Sequence, residues 1–174
     1  LITRPRFVDA RGSFERLIDP PAAQSSTESV RSHTVSQVNL SRTFAAGTIR
    51  GLHLQLPPFG ETKHVSCIRG RIFDVAVDLR AQSPTILRWT AHELSEANGL
   101  TLIIPPGCAH GVQTLEDNCA VLYVHSAPYS PAHEAGLHPL DTSVGINWPL
   151  PFTSLSERDA NETRSASFFE GVSW

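Results

Sequence analysis

The stretch Arg71-Ile72-Phe73-Asp74-Val75-Ala76-Val77-Asp78-Leu79 constrains this chain more than any other. On an extended backbone Phe73, Val75, Val77 and Leu79 point one way; Ile72, Asp74, Ala76 and Asp78 point the other. A period of two fits a strand with one face in a core and fits no helix. Similar runs occupy residues 34–40, 63–68, 87–94, 100–104 and 120–126. Turn signals separate them: Arg69-Gly70, Asn98-Gly99, Pro105-Pro106-Gly107 and Glu116-Asp117-Asn118. Many short strands with such turns predict an all-β sandwich or barrel. Helical periodicity is weak, leaving room for a turn or two over residues 154–161. A length of 174 residues predicts a single domain. To it we assign an N-terminal arm over about residues 1–30, with a polar loop at 20–30, and a C-terminal tail over about 160–174. That tail carries Phe168, Phe169 and Trp174, which predicts docking.

Charge narrows the partners. The net charge of −3, with no block of Lys or Arg, gives no electrostatic reason to expect nucleic acid or an anionic membrane surface. The longest apolar run, Leu100-Thr101-Leu102-Ile103-Ile104, is far short of the ~20 residues of a membrane-spanning helix. Cys67, Cys108 and Cys119 are odd in number and lack CxxC spacing, which predicts a reducing, cytoplasmic setting rather than a disulfide scaffold. No leader is visible, although a chain starting at Leu1 leaves room for a trimmed one.

The candidate chemistry lies in three places. Asp74 and Asp78 sit opposite the apolar stripe of the strongest strand; if that face is interior, both carboxylates need partners. The alternative is a solvated face. Arg50 and His53 flank Gly51 in Arg50-Gly51-Leu52-His53-Leu54-Gln55, with Lys63 ten residues beyond His53. A guanidinium suits a phosphate because its planar fork donates two parallel hydrogen bonds, and an imidazole suits a base near neutral pH. The turn Pro105-Pro106-Gly107 delivers His110 to the next strand, as a site residue or as a satisfied core histidine.

Gly47-x5-His53 and Gly99-x5-Pro105-x-Gly107-x2-His110 resemble the two half-motifs of cupins, small β-barrels of jelly-roll type. Gln55 stands where metal-binding cupins carry a second histidine, and Glu61 is near but not at their glutamate position. The match then narrows. Arg50-Gly51-Leu52-His53-x-Gln55, Pro57-Pro58 before Lys63, Ile72-Phe73-Asp74-Val75-x-Val77-Asp78-Leu79-Arg80, Ser83-Pro84-Thr85, Pro105-x-Gly107-x-Ala109-His110-Gly111 and Tyr129-x-Pro131-x2-Glu134 occur in order. Together they resemble the dTDP-4-dehydrorhamnose 3,5-epimerase family of nucleotide-sugar epimerases over roughly residues 5–160. The resemblance implies a cupin jelly-roll barrel with short helices near the termini, no metal or other cofactor, and a nucleotide-diphosphate 4-keto-6-deoxy sugar as substrate. It also implies a homodimer whose N-terminal strands cross to the partner, and a role in deoxysugar biosynthesis.

The same resemblance implies roles. His53 is the base that removes the proton beside the C4 ketone, Asp159 its carboxylate partner, Lys63 the stabiliser of the enolate oxygen, and Tyr123 the acid that returns the proton. Arg50 holds diphosphate, Asp74 orients His110, and Tyr129 flanks the sugar or diphosphate. Gln37 and Asn39 lie near the nucleotide, as do Arg11, Phe14 and Arg16 of the N-terminal motif, where Phe14 stacks on the base. Three departures stand out. Arg16 replaces the family's usual Glu, Glu61 stands where Gln is more common, and the tail after Asp159 does not match. Inversion at C3, C5 or both, and dTDP against CDP or GDP, stay open. Two alternatives also stay open: a metal-dependent cupin enzyme using His53, His110 and Glu61, and a non-catalytic sugar-nucleotide-binding cupin.

Overall fold

The computed structural model describes residues 1–17, 35–162 and 171–173. Among the described residues twelve strands follow one another: β1 (Ile2–Thr3), β2 (Arg6–Asp9), β3 (Gly12–Glu15), β4 (Gln37–Thr43), β5 (Ile49–Gln55), β6 (Lys63–Arg69), β7 (Arg71–Asp78), β8 (Trp89–Ser95), β9 (Leu100–Ile104), β10 (Cys108–Thr114), β11 (Cys119–His125) and β12 (Glu134–Gly136). A 3-10 turn at Pro131–His133 and one helical turn, α1 (Glu157–Ala160), are the helical elements among the described residues. The polar loop expected at 20–30 and the tail aromatics Phe168, Phe169 and Trp174 lie outside the described residues.

Two five-stranded antiparallel sheets, in the orders β1-β9-β6-β11-β4 and β12-β5-β10-β7-β8, face each other as a jelly roll. Side chains between the sheets form one apolar cluster, with Val65, Cys67, Ile72, Leu94, Leu102, Val112 and Val121 at its heart. The stripe of β7 packs elsewhere. Val75, Val77 and Leu79, with Phe73 against them, join Leu52, Leu54, Ala109, Leu137 and Trp148 on the outer face of the second sheet. Residues 135–148 cover that face, so β7 is buried on both sides. Asp74 is wholly buried and Asp78 nearly so. Asp78 accepts from the Arg80 backbone and guanidinium and from the Ser83 and Thr85 hydroxyls.

Glycine matters most where β5 crosses β10. Gly51 has φ +129, and a Cβ there would lie 2.5 Å from the Cα of Gly111. Only two glycines let the backbones approach so closely. Strict alternation would put Arg50 and His53 on opposite faces, since they are three residues apart. The irregular backbone at Gly51 turns both into the same cavity.

The arm forms its own hairpin, β2 with β3, whose Phe7, Val8 and Phe14 are more than half exposed. No helix among the described residues is long and apolar enough to cross a membrane.

Candidate active site

A cavity of about 310 Å³ opens at one end of the barrel, lined by Arg50, His53, Lys63, His110, Tyr123 and Tyr129 among others. That volume is at the lower end for ligand sites. A larger depression, of about 520 Å³, lies under the 80–85 loop, where Arg80 is already committed to Asp78.

His53 projects inward from β5 directly opposite His110 of β10. Its Nε2 lies 2.7 Å from Asp159 Oδ1, although 106 residues separate them. Two local features bring Asp159 there. The Ile49 N–H donates to the Ser154 carbonyl, pinning the chain beside β5. Ser156 then caps α1 by accepting from the Asp159 N–H, which turns the carboxylate inward. Its second oxygen accepts from the Gly51 N–H at 3.2 Å. Burial raises the Asp159 pKa, but the bonds from His53, Gly51 and Ser156 outweigh burial and hold it below the ordinary carboxylate range.

Arg158 reaches the same His53 nitrogen and also binds Glu134 at 2.8 Å. A guanidinium can only donate. Protonated Nε2 therefore bonds Asp159, and unprotonated Nε2 accepts from Arg158.

His110 is buried, with Nε2 3.0 Å from Asp74 Oδ1 and its ring edge-on to Tyr123. The Lys63 ammonium donates to the His53 carbonyl at 3.2 Å and pairs with Glu61 at 3.4 Å. Burial pushes the Lys63 pKa down, opposed by the nearby Glu61, Glu134 and Asp74 charges. Burial also pushes the Tyr123 phenol well above its ordinary value, so it stays protonated. Arg50 is braced by Thr43 at 2.9 Å, and the Tyr129 hydroxyl donates to Glu134.

Asn39 lines the cavity and Gln37 joins it from behind, accepting from the Tyr129 N–H at 3.0 Å and donating to Asn39. Arg11 and Phe14 are not brought to this cavity. They sit on the exposed hairpin, where Arg11 pairs with Asp9, and Arg16 directly follows that hairpin.

Gln55, at the missing histidine's position, is a structural amide. It donates to the carbonyls of Phe59 and Pro128 and accepts from the Ser130 N–H. His53, His110 and Glu61 are each bonded to another partner, and no group of three or more His, Cys, Asp or Glu among the described residues has the geometry to hold a metal ion. Sequence reasoning missed His125, Glu134 and Arg158. His125 was legible, because it falls two residues after Tyr123 and so on the same strand face.

A family model described as dTDP-4-dehydrorhamnose 3,5-epimerase matches residues 1–166. The dTDP-4-dehydrorhamnose 3,5-epimerase of Sinorhizobium fredii is 43% identical over 163 residues, covering 92% of this chain and 82% of that protein. Among solved structures, the Mycobacterium tuberculosis rmlC epimerase superposes with a TM-score of 0.88 at 37% identity, covering 95% of this chain and 82% of the other. ChmJ, a 3'-monoepimerase from Streptomyces bikiniensis solved with dTDP-quinovose, gives a TM-score of 0.85 at 29% identity, covering 94% and 81%.

Proposed function

The chain belongs to the dTDP-4-dehydrorhamnose 3,5-epimerase family of cupin-fold isomerases, and from that premise we propose how its own residues invert C3, C5 or both of a dTDP-linked 4-keto-6-deoxy sugar. One observation carries the assignment: the His53–Asp159 pair faces the same cavity as Lys63 and Tyr123.

Asp159 accepts a hydrogen bond from the His53 Nε2–H, which holds the proton on Nε2 and leaves Nδ1 as the basic nitrogen. Nδ1 removes the proton from a carbon flanking the C4 ketone. Negative charge moves onto the C4 oxygen, where the buried Lys63 ammonium meets it in a low-dielectric site. The Tyr123 phenol then donates its proton to the opposite face of the ring, completing the inversion. Arg50 holds the diphosphate, with Tyr129 beside it. His110, oriented by Asp74, supports the wall next to His53. The nucleotide lies toward Gln37 and Asn39.

The single domain acts as a homodimer. Val38 and Leu40 on the outer face of the first sheet are 53% and 43% exposed, and Phe7, Val8 and Phe14 on the arm hairpin are more exposed than Leu40. Seating the hairpin of one protomer on its partner would cover both and bring Arg11, Phe14 and Arg16 toward a nucleotide. The cytoplasm is the proposed compartment, in keeping with three buried, unpaired cysteines.

The test is deuterium incorporation in D2O from dTDP-4-keto-6-deoxyglucose, followed at C3–H and C5–H by NMR with His53→Ala as the blank. Loss of both signals makes a 3,5-epimerase, and loss of one a single-carbon epimerase. Silence here and with the CDP- and GDP-linked ketosugars refutes the assignment.

A further inference from the structure

Glu61 and His125 have no part in the chemistry above, yet their side chains are only 8% and 12% exposed inside the same cavity. They are the middle links of a continuous chain. The Tyr129 N–H donates to Gln37 Oε1 at 3.0 Å, and Gln37 Nε2 donates to Asn39 Oδ1 at 3.0 Å. Asn39 Nδ2 approaches His125 Nε2 at 3.4 Å. His125 Nδ1 lies 2.7 Å from one oxygen of Glu61, and the other Glu61 oxygen lies 3.4 Å from Lys63 Nζ. Lys63 ends the chain by donating to the His53 carbonyl at 3.2 Å.

Both ends are fixed by backbone chemistry. An amide N–H can only donate and a carbonyl oxygen can only accept. Every link between them is therefore determined. Gln37 must accept at Oε1 and donate at Nε2, and Asn39 must accept at Oδ1 and donate at Nδ2. His125 must then accept at Nε2 and donate from Nδ1 into the Glu61 carboxylate. A second proton on His125 would set an N–H against the Asn39 NH2. Flipping Asn39 only moves the clash to Gln37, and flipping Gln37 moves it to the Tyr129 N–H.

We propose that Glu61 and His125 are positioning residues, a hydrogen-bond relay that ties the Gln37–Asn39 wall to Lys63 and is intact only with His125 neutral and protonated on Nδ1. The relay rests on the reading of Lys63 as the enolate stabiliser. Glu61 keeps a buried ammonium charged and aimed, and His125 holds Glu61 still. The imidazole also lies against the Tyr123 ring, 6.2 Å between centroids, so the same side chain braces the acid. A carboxylate at position 61 needs an answering donor, and His125 supplies it. The groups facing the imidazole are Asn39 from β4, Glu61 from the loop before β6, and Tyr123 from β11 itself; Lys63 lies behind Glu61.

Two measurements test the relay. In protein labelled with 15N-histidine, His125 at pH 7 should show a pyrrole-type Nδ1 and a pyridine-type Nε2, assigned by the signal lost in His125→Gln. An imidazolium, or the opposite tautomer, overturns the proposal. In Glu61→Gln, the amide offers one acceptor and sets its NH2 against the Lys63 ammonium. We expect kcat for deuterium exchange to fall about 10–100-fold, the effect of losing a hydrogen bond to a charged group, with KM within about threefold. His125→Gln should lose a similar factor, and the double variant little more than either single. Unchanged kcat in Glu61→Gln, or losses that multiply in the double variant, refutes the coupling. A wild-type protein that exchanges no deuterium refutes the epimerase assignment instead, and the tautomer still decides the relay.

Discussion

Asp159→Asn should nearly abolish proton abstraction while leaving the fold intact. The substitution preserves shape and changes hydrogen-bonding polarity. Asp159 accepts from His53 Nε2 at 2.7 Å and from the Gly51 N–H at 3.2 Å. An asparagine has one oxygen and one NH2. The Gly51 N–H is an obligate donor, so the oxygen goes there and the NH2 faces His53. Nε2 must then accept, and the imidazole proton moves to Nδ1, the nitrogen that should act as base. Arg158, which can only donate to Nε2, reinforces the wrong tautomer. A base held in the wrong tautomer by a carboxylate-to-amide change costs on the order of 10³–10⁴ in rate, or about 4–5.5 kcal/mol of barrier. The Ser156 cap uses the backbone N–H of residue 159 and is unaffected, so near-ultraviolet circular dichroism should match wild type. Exchange at C3 and C5 in D2O, measured by NMR at saturating substrate, gives the rate. An Asp159→Asn enzyme within tenfold of wild type would refute the tautomer argument.

Three further outcomes follow from other parts of the molecule. Tyr123→Phe should separate exchange from inversion: His53 can still wash deuterium into the substrate, while inverted product falls by about 10²–10⁴, and equal loss of both signals would show that Tyr123 is not simply the acid. Asp78→Asn should cost about 2–4 kcal/mol by weakening the partly buried bonds to Arg80, Ser83 and Thr85, read as a drop of about 5–15 °C in Tm. The Arg80 guanidinium above all holds the Asp78 pKa well below normal; a depressed folded pKa stabilises above the unfolded value near ~3.9 and is lost below it, so the Tm gap between the two proteins should be flat above about pH 5 and close in acid. Burial pushes the Cys67 thiol up to about 12 and the Cys108 thiol up to about 11, so a thiol reagent at about pH 8 should leave native protein unlabelled and label all three cysteines after unfolding; rapid native labelling would contradict the burial.

The strand pattern was legible because it is local. The run at 100–104 matches β9, and those at 63–68 and 120–126 match β6 and β11 to within a residue. What local pattern could not report was which sheet face a stripe covers. The Phe73–Leu79 stripe reads only as a core face; it packs outside the sheet because residues 135–148 fold back over it, and the Asp74 face turns inward. Nor could it place Arg50 beside His53, since that depends on an irregularity at Gly51 that alternation excludes. Asp159 was reachable only through family resemblance. Its position depends on the Ile49–Ser154 bond and the Ser156 cap, and nothing in its own neighbourhood distinguishes it from a surface charge beside Arg158.

Period two says which side chains point inward, but not whether inward means core or cavity. The answer is in how polarity changes along each inward row. On β6 the row runs Lys63, Val65, Cys67; on β11, antiparallel to it, the order reverses from Cys119 and Val121 to Tyr123 and His125. On β10 the row runs Cys108, His110, Val112, and His110 is where it meets the cavity. Register places the polar ends of β6 and β11 side by side, His125 against Lys63, and the apolar ends together beneath them. The lower half can therefore close as a dry, packed plug that holds the sheets apart at a fixed spacing. The upper half cannot close, because its ammonium, imidazoles and carboxylates need partners that only each other, water or a ligand can supply. The same alternation that builds the core thus builds the cavity, and the change from valine to lysine or tyrosine two residues along a strand marks where one becomes the other.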